Sequence, residues 1–135
     1  MMCLSLNIYH EARGESIMGR HAVALVTMNR AKRDPSKVCE VVFKRKQFSW
    51  ANGRVTKLGG AYFIDLPHKY DERSLKIAIQ IAQTHLNGRV KDFTGGATHY
   101  HAKSVQPRWS QELKKVAVIG EHIFYKQHKS RVTNS

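Results

Sequence analysis

Acidic residues are scarce in this chain of 135, where ten Asp and Glu face twenty-three Lys and Arg for a formal charge of +13. With a pI near 10.1, the surface should carry a positive field that favours polyanionic partners: nucleic acid, lipopolysaccharide, teichoic acid or an anionic membrane face. The basic residues run along the whole chain, denser at Lys44-Arg45-Lys46, at Lys114-Lys115 and from Lys126 to Arg131, so no discrete basic arm is expected. A solvated cationic surface that aids solubility is the plain alternative. Cysteine is nearly absent as well. Cys3 and Cys39 are too few for a CxxC redox pair or a four-thiolate zinc site, which leaves two free thiols or one bridge. Nothing in the sequence marks an oxidising compartment, so buried free thiols are the expectation. Long apolar runs are missing too. None approaches the ~18 residues of a spanning helix, and stable membrane insertion is not expected. The opening residues MMCLSLNIYHEARGE lack a charged n-region and a cleavage site, so no secretory signal is expected. There are no internal repeats and no low-complexity segment, and the length suits one domain with a real core.

What is present is helical patterning followed by strand patterning. Leu4, Ile8, Glu11 and Glu15 recur at the spacing of one helical face, so two apolar residues and two carboxylates share a stripe. Ser16 then reads as the cap of a helix with Met18, Ala22, Leu25, Val26 and Asn29 inward, broken at Asp34-Pro35. Ser36 is expected to cap a short helix carrying Val38, Val41 and Val42. From Gln47 to Tyr70 there is no sustained period, and the stretch reads as loop with short turns. Asp71 caps a helix with Leu75, Ile79, Ala82 and Leu86 on one face and Asn87-Gly88 as its stop. ATHYH alternates, and VAVIGEHIFY places two apolar runs around Gly120-Glu121, which predicts a small antiparallel sheet. The fold class is therefore α+β. The boundaries are a single domain over 1–126 and a basic, flexible tail over 127–135.

Glu11 is the residue whose chemistry this pattern singles out. A carboxyl on an otherwise apolar helical stripe is partly desolvated, burial favours its neutral form, and its pKa should rise toward the range a general acid needs. The alternative is a structural role for both glutamates, with Glu15 paired to Arg13, Arg20 or Arg30. They do not read as the acid and nucleophile of a retaining glycosidase, because both would project from one helix and could not flank a sugar from opposite faces. A zinc-dependent amidase or peptidase using His99, His101 and His122 is another reading, weakened by the lack of an HExxH motif. A basic nucleic-acid-binding module with stacking aromatics at Trp50, Tyr62, Phe63, Tyr100 and Trp109 is a third, with no recognition motif behind it.

The run NIYHEARGESIMGRHAVALVTMNR, followed in order by VCEVVFKRKQFSW, GGATHYH and IGEHIFY, resembles the SleB-like cell-wall hydrolase family of spore cortex-lytic enzymes and related phage endolysins. The resemblance implies a lysozyme-like domain that cleaves peptidoglycan between N-acetylmuramic acid and N-acetylglucosamine, as a lytic transglycosylase or, on the same fold, a hydrolytic muramidase. It implies Glu11 as the catalytic acid and Glu15 and Asn29 as neighbours that hold or tune it. Gln47, Phe48, Ser49, Trp50, Thr98, Tyr100 and His101 match positions in or near the family's cleft and are expected to bind substrate. No metal or other cofactor is implied. The expected partners are glycan strands and anionic envelope polymers rather than nucleic acid, for a monomer held in a host cytoplasm until release to the periplasm or wall, as in a phage endolysin.

Overall fold

A computed structural model describes residues 2–44, 55–59, 61–64, 70–88 and 90–128. Its first helix, α1 (Met2–Ala12), is buried at Cys3 through Tyr9 and at Ala12, so it is covered on nearly every side. A helix with that pattern belongs in the middle of a domain. It is surrounded by α2 (Ile17–Arg30), α3 (Val38–Phe43) and α4 (Glu72–Leu86), and its Leu4, Ile8 and Tyr9 join Met28, Val42 and Ile81 in one core. Each fully buried side chain of this kind stabilises the fold by roughly 1.5–3 kcal/mol. One polar bond lies inside this packing: Thr27 Oγ1 donates to Asn7 Oδ1 at 2.7 Å.

The ends of these helices decide where the carboxylates go. Helix α1 stops at Ala12, and Ser16 Oγ accepts from the Gly19 amide at 3.1 Å to start α2. Glu15 therefore sits in the turn between two helices, which corrects the expectation that it continues the α1 stripe. In α2 Ala22, Leu25 and Val26 are buried as expected, whereas Met18 is exposed. The helix after Asp34-Pro35 begins with a 3₁₀ turn at Pro35–Lys37, and its cap is Asp34, whose Oδ1 accepts from the Ser36 amide at 3.0 Å; Ser36 is not the cap. Cys3 and Cys39 form a disulfide between α1 and α3, with Cα atoms 5.3 Å apart. The expectation of free thiols fails because these two helices pack side by side.

Asp71 caps α4 through the Arg73 and Ser74 amides, and Asn87 with the left-handed Gly88 ends it, as predicted. Its buried face is Ala78, Ile81, Ala82 and His85, with Leu75 and Leu86 of the expected stripe packed partly buried against the same core, and His85 Nε2 lies 2.8 Å from His21 Nδ1. The segment expected to be loop contains an antiparallel hairpin, β1 (Val55–Leu58) with β2 (Ala61–Ile64). The predicted sheet is present as β3 (His99–Ala102), β4 (Lys114–Ile119) and β5 (His122–Lys126), all antiparallel in the order β3-β5-β4. Helix α2 lies across it, Ala22 and Val26 packing on Ala97 and Phe124. The sheet is thus held one helix away from α1. Among the described residues no helix is long and apolar enough to cross a membrane.

Candidate active site

Glu11 lies in the last turn of α1, half-buried, where that helix faces the sheet. Its Oε1 accepts a hydrogen bond from the Tyr100 hydroxyl at 3.1 Å. Burial raises the pKa of its carboxyl, and the Tyr100 bond and the charge of His122 offset only part of that rise. This is the direction expected from the apolar stripe. The Tyr100 phenol is pushed well above its ordinary value by burial, and next by the charge of Glu11 and the bond to it. Tyr100 therefore stays a neutral donor near neutral pH, fixed on one oxygen of the acid.

Strand register explains which side chains gather there. Residues opposite one another in an antiparallel pair share a face. Tyr100 pairs with Phe124 and Ala102 with His122, so Tyr100, Phe124 and His122 project together toward α2 and α1. The His122 ring meets Tyr100 edge-on at 5.2 Å, and Phe124 lies 5.7 Å from it. Glu15 comes in from the α1–α2 turn. Its Oε1 lies 3.2 Å from His122 Nδ1 and accepts from the Glu121 amide at 3.3 Å. Glu15 is thus turned onto β5 and does not touch Glu11. Arg30 of α2 adds a partly desolvated cation: burial lowers its pKa, and its charge acts on Tyr100 and on His99.

The other face of the same strand holds a different set. His99 and His101 stand 5.4 and 5.6 Å from the Trp109 ring, and His101 stacks on Tyr125, whose hydroxyl is 2.8 Å from its Nε2. His101 is buried, and its other ring nitrogen meets the Ala102 carbonyl at 2.7 Å. His101, expected to bind substrate, thus projects from the face of β3 opposite to Tyr100, as the two-residue period of the strand requires. The same alternation separates His122 from His99 and His101, so the three histidines considered for zinc do not converge. Among the described residues no group of three His, Cys, Asp or Glu side chains is placed to hold a metal. Thr98 is half-buried with its hydroxyl 2.9 Å from His99 Nδ1, so it is not on the acid. Asn29 does not contact Glu11 either: its amide donates to Asp92 Oδ2 at 3.1 Å and to the Ala97 carbonyl at 2.9 Å. Asp92 also accepts from the Thr94 and Gly96 amides, at 2.8 and 2.9 Å. Asn29 therefore shapes the loop that delivers β3, and hence Tyr100, to the site. Gln47, Phe48, Ser49 and Trp50 lie outside the described residues. His122 is the functional neighbour whose role the spacing did not reveal.

Residues 14–125 match the family model described as Cell Wall Hydrolase. The chain belongs to the cell wall hydrolase family. The matched span includes Glu15, Tyr100 and His122 and begins three residues after Glu11. A spore cortex-lytic enzyme of Halalkalibacterium halodurans is 31% identical over 120 residues, which is 87% of this chain and 32% of that protein. The chain thus spans about a third of the curated relative's length. Among solved structures, the catalytic domain of the germination-specific lytic transglycosylase SleB from Bacillus anthracis superposes with a TM-score of 0.64 at 27% identity, over 92% of this chain and 91% of that one. The catalytic domain of the Bacillus cereus SleB protein gives 0.63 at 27%, over 93% and 88%. The lysozyme-like α+β expectation therefore holds for this cell wall hydrolase.

Proposed function

We propose that this protein degrades peptidoglycan by cleaving the bond between N-acetylmuramic acid and N-acetylglucosamine, as a lytic transglycosylase with Glu11 as its one acid and base. The observation that carries this reading is a half-buried carboxyl with a raised pKa, held by a neutral phenol. Among the described residues no second carboxylate faces it: Glu15 is committed to His122 and Glu121. A double-displacement glycosidase needs its nucleophile roughly 5–5.5 Å from the acid. With a single carboxyl, the proton it gives up must be recovered from the substrate.

The sequence of steps follows. Protonated Glu11 donates to the glycosidic oxygen, which leaves with the departing sugar as the C1–O bond breaks. The carboxylate left behind, stabilised by the Tyr100 hydroxyl, takes the proton of the muramyl 6-hydroxyl, and that oxygen closes onto C1. The product is a 1,6-anhydro ring, Glu11 is again protonated, and no water is consumed.

Two features support action in the wall space: a Cys3–Cys39 bridge persists in an oxidising setting, and the +13 charge favours adsorption to anionic envelope polymers. A phage endolysin released from its host's cytoplasm fits this setting, with the bridge closing after release. Mass spectrometry of purified peptidoglycan after digestion tests the reaction. Anhydro-muramyl ends are expected, reducing muramic ends would replace this reading with a hydrolytic muramidase, and freed peptides would replace it with an amidase.

A further inference from the structure

Glu15 is held more firmly than a carboxylate in a surface turn requires. Its side chain is 16% exposed and that of His122 11%. Room for it depends on two glycines, since a Cβ on Gly19 would stand 3.0 Å from Glu15 Cβ and one on Gly120 3.0 Å from its Oε1. Gly120 is also left-handed, with φ +57, a conformation that costs other residues strain. The α1–α2 turn is fastened in this way to the β4–β5 turn through one carboxylate.

The contact continues inward from there. The imidazole that Glu15 holds lies edge-on against Tyr100, both rings rest against Phe124, and the Tyr100 hydroxyl reaches Glu11. The two glutamates of HEARGE are therefore linked through β5 and β3 rather than along a helix.

We propose that Glu15 and His122 act as a carboxylate–imidazole pair that positions Tyr100 on Glu11. This rests on the reading of Glu11 as the acid. His122 is a positioning residue in this scheme, since it touches Tyr100. A carboxylate on Nδ1 fixes the orientation of an imidazole. The other charged group facing Tyr100 is Arg30 from α2, while His99 lies on the opposite face of the strand. Burial holds the proton on Glu11 and the His122 charge loosens it. An acid must both keep its proton in the resting site and release it to the sugar, so the two effects are matched to the task.

The test follows the Glu11 carboxyl by carbon NMR against pH, alongside the pH profile of wall lysis, in the wild type and in His122→Gln, Glu15→Ala and Glu15→Gln. In His122→Gln, Glu11 should hold its proton to higher pH, the alkaline limb of lysis should move the same way, and the maximal rate should fall about tenfold or more. Glu15→Ala should lower the rate similarly. Glu15→Gln keeps the acceptor oxygen and should recover most of it. If His122→Gln does not fold, the two Glu15 variants provide the reading, because only the one that keeps an acceptor oxygen on Nδ1 should keep the wild-type Glu11 titration and rate. A Glu11 titration indifferent to His122 in both measurements overturns the proposal. Coupled titration in a protein that lyses no wall would keep the pair and remove the catalytic reading, so the two failures are distinguishable.

Discussion

Breaking the Cys3–Cys39 bridge loosens the helix that carries Glu11. The two cysteines are 36 residues apart in sequence, and in the chain-entropy account a loop of that size stabilises the folded state by about 4 kcal/mol by restricting the unfolded chain. Cys3 is buried, so the substitution should be Cys3→Ala with Cys39→Ala, which adds no buried hydroxyl. A domain of 135 residues has an unfolding entropy that turns such a loss into a fall of about 10–15 °C in the melting midpoint. Calorimetry of the oxidised protein, the reduced protein and the double alanine variant measures it. The reduced and alanine forms should melt together, well below the oxidised form. Lysis at a temperature between the two midpoints should survive only with the bridge closed. Midpoints within about 2 °C of one another would refute the reasoning, because the bridge would then constrain nothing that folding does not already constrain.

Tyr100→Phe removes the donor on Glu11. Glu11 should then keep its proton to higher pH, moving the alkaline limb of lysis upward, while loss of a hydrogen bond to the charged form lowers the maximal rate about ten- to a hundredfold; an unchanged pH profile would count against the site. The His85 imidazole is lowered from 6.5 to about 4 by burial, with the charges of His21 and Arg33 acting the same way. The unfolded chain takes up that proton as pH falls through 6.5 and the folded chain only near 4, so the contribution is complete above 6.5 and about 2–3 kcal/mol is lost between these values. Urea midpoints at pH 7 and pH 4.5 should show this loss, reduced in His85→Gln; equal slopes in the two proteins would contradict it. Adsorption of the +13 chain to wall fragments should weaken as salt rises from 50 to 500 mM, given a Debye length of ~10 Å at 0.1 M, and binding indifferent to salt would exclude an electrostatic origin.

Periodic segments were legible and contacts between distant segments were not. Helices α2 and α4, their caps at Ser16 and Asp71, and the β4–β5 turn at Gly120 follow from local pattern. Glu11 was legible for the same reason, because two apolar residues at helical spacing on α1, Leu4 and Ile8, suffice to aim it inward. Glu15 was misplaced because Ser16 starts α2 on a new axis, a tertiary outcome that the continuing four-residue spacing concealed. The hairpin of β1 and β2 did carry a signal, the Gly59-Gly60 pair between two short apolar runs, which a search for longer periods passed over. The bridge had none, since nothing near Cys3 or Cys39 announces that α1 and α3 are neighbours. The side on which His122 stands relative to His99 and His101 was not legible, because it depends on the register between β3 and β5.

The central claim is that one carboxyl performs the chemistry. Glu11→Gln is nearly isosteric and can still accept from Tyr100, so circular dichroism and the melting midpoint should match those of the wild type. Lysis of purified peptidoglycan, followed by turbidity at neutral pH, should fall by at least about a hundredfold, the usual share of general acid–base catalysis. Wild-type lysis rates from a folded Glu11→Gln protein would contradict the account.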